Sequence, residues 1–188
     1  TSHLFHLLLP PLFPLLMPDF GFGFTEAGFL MTVFFAISGD GQAFAGIAQA
    51  LGMRVIVNQP RLTPELALEW GVEQAELPRL LREADFATLH VPLRPETNGM
   101  LGANELALMQ PSAFLINTAR GGVVDEAALL AALEAGQLAG AALDVFAQEP
   151  AMDSALASHP KVIATPHIAA STEDAQRTAA LSVAEQIL

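Results

Sequence analysis

Three short segments gather the residues able to do chemistry: NTARGGVVDE at 117–126, ALDVFAQEP at 142–150 and TPHIAAST at 165–172. Between them they carry Arg120, Asp144, Glu149 and His167. An arginine presents a planar fork of donors that matches a carboxylate, so Arg120 could hold the acid group of a small substrate. A histidine titrates near neutral pH, and a neighbouring carboxylate favours its protonated form. His167 backed by Glu149 would therefore give and take a proton at working pH. The set suits proton-coupled hydride transfer at a carbon bearing a hydroxyl next to a carboxylate. Ordinary roles stay open for each residue: Arg120 as a solvated side chain, His167 as a satisfied structural group, Asp144 and Glu149 as carboxylates facing water.

Such residues work only if the elements between them place them together. Short apolar runs at 54–58, 86–90, 113–117, 138–145 and 162–164 read as strands. Residues 63–70, 77–84, 104–109 and 126–134 read as helices, the last with Asp125 as N-cap and Gly136 just past its end. A closing helix is expected from about Thr172, where Ser171 and Asp174 have capping-box spacing. Strands alternating with helices of this length predict an α/β fold, a doubly wound parallel sheet with helices on both faces. Each chemistry-bearing segment then falls just beyond the carboxyl end of a strand, where open parallel sheets bind ligands.

Composition limits the function classes. A chain of 188 residues is long enough for one ordinary domain with a buried core. There is no cysteine, which excludes disulfides and thiolate chemistry and suits a reducing, cytoplasmic compartment. The net charge of -12, with eight scattered Lys and Arg, argues against nucleic acid as a partner. The 52% hydrophobic content is concentrated near the N-terminus, where no Lys or Arg precedes Arg54. Residues 4–17 are almost wholly apolar but broken by Pro10, Pro11 and Pro14, and they lack the basic start of a secretory signal. A second apolar run, 27–37, is too short to cross a bilayer alone, although extended through Ala50 it is long enough. A buried hairpin or helix packed on a core is the alternative.

Two resemblances divide the chain. Residues 3–46, HLFHLLLPPLFPLLMPDFGFGFTEAGFLMTVFFAISGDGQAFAG, resemble the first two transmembrane helices of major facilitator superfamily transporters. From about Ile47 to Leu188 the chain resembles the nucleotide-binding domain of D-isomer-specific 2-hydroxyacid dehydrogenases, phosphoglycerate dehydrogenases above all. The motifs LHVPLRPET at 89–97, INTARGGVVDE at 116–126, AGAALDVFAQEP at 139–150 and ATPHIAAST at 164–172 occur in the family's order. The resemblance implies that Arg120 binds the substrate carboxylate and carbonyl oxygen, that His167 is the acid/base and that Glu149 pairs with it. Asp144 would contact the nicotinamide carboxamide of NAD, and Val91, Pro92, Thr118, Ala119, Ala169 and Ala170 would line the cofactor cleft. It also implies a 2-hydroxy acid substrate and a homodimer.

The expected organisation is thus an apolar, foreign or membrane-like segment at 1–46, an NAD(P)-binding domain at 47–188, and no substrate domain. The two resemblances meet at GQAFAG, as a fusion would. A dinucleotide fingerprint needs three glycines in register. Aligning LGMRVIV with the family's second strand puts the third on Gly41 but the first two on Ala36 and Ser38, with Gly39 out of register. The sheet is therefore expected to be incomplete at its N-terminal strand and glycine loop. Gln59 stands where the family carries the ribose-binding Asp, which removes a charge that would repel a 2'-phosphate, and Arg61 lies close by. NADP joins NAD as a candidate cofactor. Beside the dehydrogenase reading stand an inactive dinucleotide-binding fragment and a membrane-anchored fusion through residues 3–50.

Overall fold

The structure, a computed structural model, describes residues 30–35, 39–151 and 153–168. Its strands are β1 (Leu30–Phe35), β2 (Arg54–Asn58), β3 (Glu73–Gln74), β4 (Phe86–His90), β5 (Phe114–Asn117), β6 (Gly140–Leu143) and β7 (Val162–Ala164). They form one sheet in the order β3-β2-β1-β4-β5-β6-β7, every pair parallel. The helices are α1 (Gly39–Ala50), α2 (Pro64–Glu69), α3 (Leu77–Glu83), α4 (Ala103–Leu106) and α5 (Glu126–Glu134).

Period-two alternation sends successive strand residues to opposite faces of the sheet. Ile56, Leu89, Leu115 and Leu143 join one core with Leu80 and Leu81 of α3, Leu106 of α4 and Leu129 of α5. Val55, Val57 and Ile116 join a second with Ala45 and Ala48 of α1 and Ala67 of α2. Helices thus cover both faces, as the alternation of strands and helices predicts. Ile56, Leu89 and Leu115 are wholly buried, each worth roughly 1.5–3 kcal/mol relative to exposure.

Local signals set the helix ends. Thr63 caps α2 by accepting from the Leu66 N–H, with Pro64 at the first helical position. Asp125 caps α5 by accepting from Ala128 N at 3.0 Å, and Gly136 follows that helix with φ +70°, a left-handed conformation that costs glycine nothing. The helix expected at 104–109 is one turn at 103–106, and the strand expected at 138–145 is four residues long. The two-residue strand β3 has no apolar pattern to announce it.

The sheet has a strand in the place expected to be vacant. Residues 30–35, inside the second apolar run, lie between β2 and β4, with Met31 paired to Val55 on one side and Phe86 on the other. A central parallel strand is covered on both faces and reads as an unbroken apolar run, which periodicity cannot separate from a buried or membrane helix segment. The resemblance to transporter helices gains no support: residues 30–35 are extended, and α1 is an ordinary helix of 12 residues packed on β1 and β2. Among the described residues no helix is long and apolar enough to cross a membrane. Residues 3–29 and 36–38, the rest of that resemblance, lie outside the described residues, as does the helix expected from Thr172.

Candidate active site

The parallel strands end at one edge, and the order reverses between β1 and β4, the position where doubly wound sheets open a crevice. Gln59 follows β2, Val91 and Pro92 follow β4, Thr118 to Arg120 follow β5, Asp144 and Glu149 follow β6, and His167 follows β7. Seven of the expected cofactor residues are thus placed, Gly41 falling in the first turn of α1. Ala169 and Ala170 lie outside the described residues.

His167 and Glu149 are in contact, Nδ1 to Oε2 at 2.7 Å. The other carboxylate oxygen, Oε1, accepts from the Phe146 N–H at 3.0 Å. The bond from His167 and then the Phe146 N–H hold the Glu149 carboxyl below the usual carboxylate range, and the Arg120 charge adds to the effect. Both side chains are more than a third exposed, so a ligand can reach them. A cavity of about 460 Å³ adjoins the pair, lined by Phe146, Ala151, Ala157 and Ala164 besides Glu149 and His167.

The segment that carries His167 is tied down from beneath. Asp144, 4% exposed, accepts through Oδ1 from Thr165 Oγ1 at 2.5 Å and from Ile168 N at 3.0 Å. These bonds bracket His167, whose φ of +53° is a strained, left-handed value for a side-chain-bearing residue. Asp144 therefore acts in this structure as the tether of the histidine segment, a use its sequence position did not suggest.

Arg120 sits on a turn shaped by Asn117, the last residue of β5. Asn117 Oδ1 accepts from Ala119 N at 3.1 Å, and its Nδ2 donates to Arg120 O at 3.0 Å, so the side chain mimics a backbone turn. The Arg120 guanidinium donates to its neighbour Ala119 O at 2.6 Å and makes no ion pair among the described residues. Gly121 then passes so close to the next loop that a Cβ there would lie 1.9 Å from Phe146 O and 2.7 Å from Ala147 N. Sequence reasoning named neither Asn117 nor Gly121. The signals were an Asn at a strand end two residues before a turn, and a glycine pair directly after a charged residue.

The residues expected around the cofactor suit such a ligand. Gln59 Oε1 and Thr118 Oγ1 are buried and have no hydrogen-bond partner among the described residues, whereas buried polar atoms are almost always satisfied. Both lie on the carboxyl edge, where a nucleotide's hydroxyl or amide groups would complete them. Val91 and Ala119 are buried and give the cleft apolar walls, while Pro92 is exposed and its carbonyl accepts from Thr97 Oγ1 at 2.6 Å. No group of His, Asp and Glu able to hold a metal ion occurs among the described residues.

Known proteins share this fold and much of this sequence. The chain is 49% identical over 147 residues to the D-3-phosphoglycerate dehydrogenase of Synechocystis sp., an alignment that covers 78% of this chain and 26% of that enzyme. Among solved structures, the NAD complex of a D-isomer specific 2-hydroxyacid dehydrogenase from Lactobacillus delbrueckii ssp. bulgaricus superposes with a TM-score of 0.74 at 35% identity. That match covers 84% of this chain and 53% of the other. The D-lactate dehydrogenase of Aquifex aeolicus complexed with NAD and lactic acid matches with a TM-score of 0.72 at 32% identity, covering 84% and 53%. The chain thus spans about a quarter of the length of the phosphoglycerate dehydrogenase and about half that of the solved enzymes. The model of the D-isomer specific 2-hydroxyacid dehydrogenase NAD binding domain matches residues 35–169, and this chain belongs to that family.

Proposed function

We propose that this chain is the nucleotide-binding part of an oxidoreductase that transfers a hydride between a nicotinamide cofactor and a 2-hydroxy or 2-keto acid, in the manner of phosphoglycerate dehydrogenases. The observation that carries the reading is the 2.7 Å His167–Glu149 contact at the same sheet edge as Arg120. Arg120 binds the substrate carboxylate and steadies the carbonyl oxygen, because its guanidinium is spent on no carboxylate of its own. With Nδ1 engaged by Glu149, His167 exchanges a proton with the substrate oxygen through Nε2. A bound nicotinamide cofactor supplies or takes the hydride.

Gln59, Val91, Pro92, Thr118 and Ala119, with Gly41 at the start of α1 and Ala169 and Ala170, hold that cofactor. Asp144 serves it indirectly, by setting the His167 segment. NAD is the cofactor by family. NADP is admitted as well, since Gln59 is neutral and Arg61 is exposed nearby. The surface that closes over the substrate is supplied from outside the described residues, and the nucleotide-binding domain takes in β1 and α1 as well as the residues from 47 onward. The same reading carries a cytoplasmic homodimer.

Isothermal titration of the purified protein with NADH and NADPH tests the proposal. Micromolar binding of either nucleotide is the expected result, and it justifies assays with 2-keto acids. No binding at millimolar nucleotide by folded protein overturns it.

A further inference from the structure

Glu126, the first residue of α5, is not used by the chemistry proposed above, yet its side chain does not stay with its own helix. Oε1 accepts from the Ala147 N–H at 2.5 Å, 21 residues away in the chain. Helix capping does not explain this. Asp125 already takes the Ala128 N–H, and an acidic side chain that only favours the helix dipole has no need of a distant amide.

Ala147 lies in the loop between Asp144 and Glu149. The two successive N–H groups of that loop bind two carboxylates: Phe146 N–H goes to Glu149 and Ala147 N–H to Glu126. Adjacent peptide planes share one Cα and only two soft torsions, so fixing one N–H narrows where the other can point. On the opposite side, the missing side chain of Gly121 lets the Arg120 turn rest against the same Phe146–Ala147 peptide. That peptide unit is therefore held by Glu126 and by the turn that carries Arg120, while the preceding unit, joined to it at the Phe146 Cα, points its N–H at Glu149.

We infer that Glu126 is a positioning residue: by holding the Ala147 N–H it orients the Phe146–Glu149 loop so that one Glu149 oxygen is anchored and the other meets His167. The inference rests on the functional reading above for its purpose but not for its geometry. Glu126→Ala leaves the loop to water, and Glu126→Gln keeps an acceptor oxygen in the same place. In Glu126→Ala the Ala147 amide should exchange with deuterium roughly tenfold faster or more, the equivalent of a lost hydrogen bond to a charged group. The Glu149 carboxyl, followed by carbon NMR, should titrate at higher pH than in the parent protein, and Glu126→Gln should restore it in large part.

A faster Ala147 amide with an unmoved Glu149 titration would mean that Glu126 secures the loop without setting the pair, and it would overturn the inference. An unchanged amide would overturn it as well. Neither readout needs cofactor, so failure of the parent protein to bind NADH bears on the functional proposal alone.

Discussion

The two edges of the sheet use their charges differently. At the amino edge, Arg54 pairs with Glu73 and Glu83 while Arg79 reaches Glu73 at 2.5 Å and Glu83 at 2.7 Å. Each charge answers another, which raises the pKa values of both guanidiniums and lowers those of both carboxyls. At the carboxyl edge, among the described residues, Arg120 bonds only a neighbouring carbonyl and two buried polar atoms have no partner, while His167 stands in a strained conformation beside Glu149. One edge is closed on itself. The other keeps bonding capacity that the described residues leave open, which suits the proposed ligand site better than a support.

The sharpest way to break that contrast is Gly121→Ala. The new methyl would collide with backbone rather than with a side chain end that could swing away. A loss of about 3 kcal/mol in urea unfolding, followed by the fluorescence of the single Trp70, is expected, together with loss of the Arg120 turn's contact with the Glu149 loop.

Acid probes the carboxyl edge next. His90 ends β4, buried with its Nε2 3.2 Å from Thr88 Oγ1, and burial pushes its pKa down to about 4 from an ordinary value near 6.5. The folded state therefore keeps the ring neutral, and its stabilising contribution is full above about pH 6.5. As the pH falls from there towards 4, the unfolded chain takes up a proton that the folded chain refuses, and stability should drop by about 3 kcal/mol. Urea melts at pH 7 and pH 4.5 measure the drop, and His90→Leu should flatten it.

Arg120→Lys keeps the charge and removes the fork. Steady-state kinetics with a 2-keto acid should show KM raised roughly tenfold or more with NADH affinity unchanged. Equal loss of both would place Arg120 in cofactor binding. The smallest effect belongs to the amino edge: Glu73→Gln should cost less than about 1 kcal/mol, because these pairs are exposed, and the cost should shrink further in high salt. A larger, salt-insensitive loss would show that the amino edge is more than a solvated ion-pair network.

The legibility of the chain followed the same division between local and distant causes. β2, β4, β7 and α5 have the limits their patterns suggest, since caps, prolines and short apolar runs act within a few residues. β1 was misread because an apolar run carries no period of its own, and its identity as a strand comes from the hydrogen bonds that β2 and β4 offer on either side. Asn117, Gly121 and Glu126 were passed over because each acts on a backbone group, and residue type alone does not say which distant backbone group that is.

By itself the sequence determined the alternation of strands and helices, the side of the sheet on which Arg120, Glu149 and His167 emerge, and the chemistry their side chains could perform. Those properties follow from periodicity, capping and intrinsic side-chain character, all of them local. Only the tertiary structure decided that Glu149 touches His167, that Asp144 tethers the histidine segment, and that the first strand's place is filled by residues 30–35. These depend on segments far apart in the chain meeting at hydrogen-bonding distance, and no single segment carries that distance in its own residues.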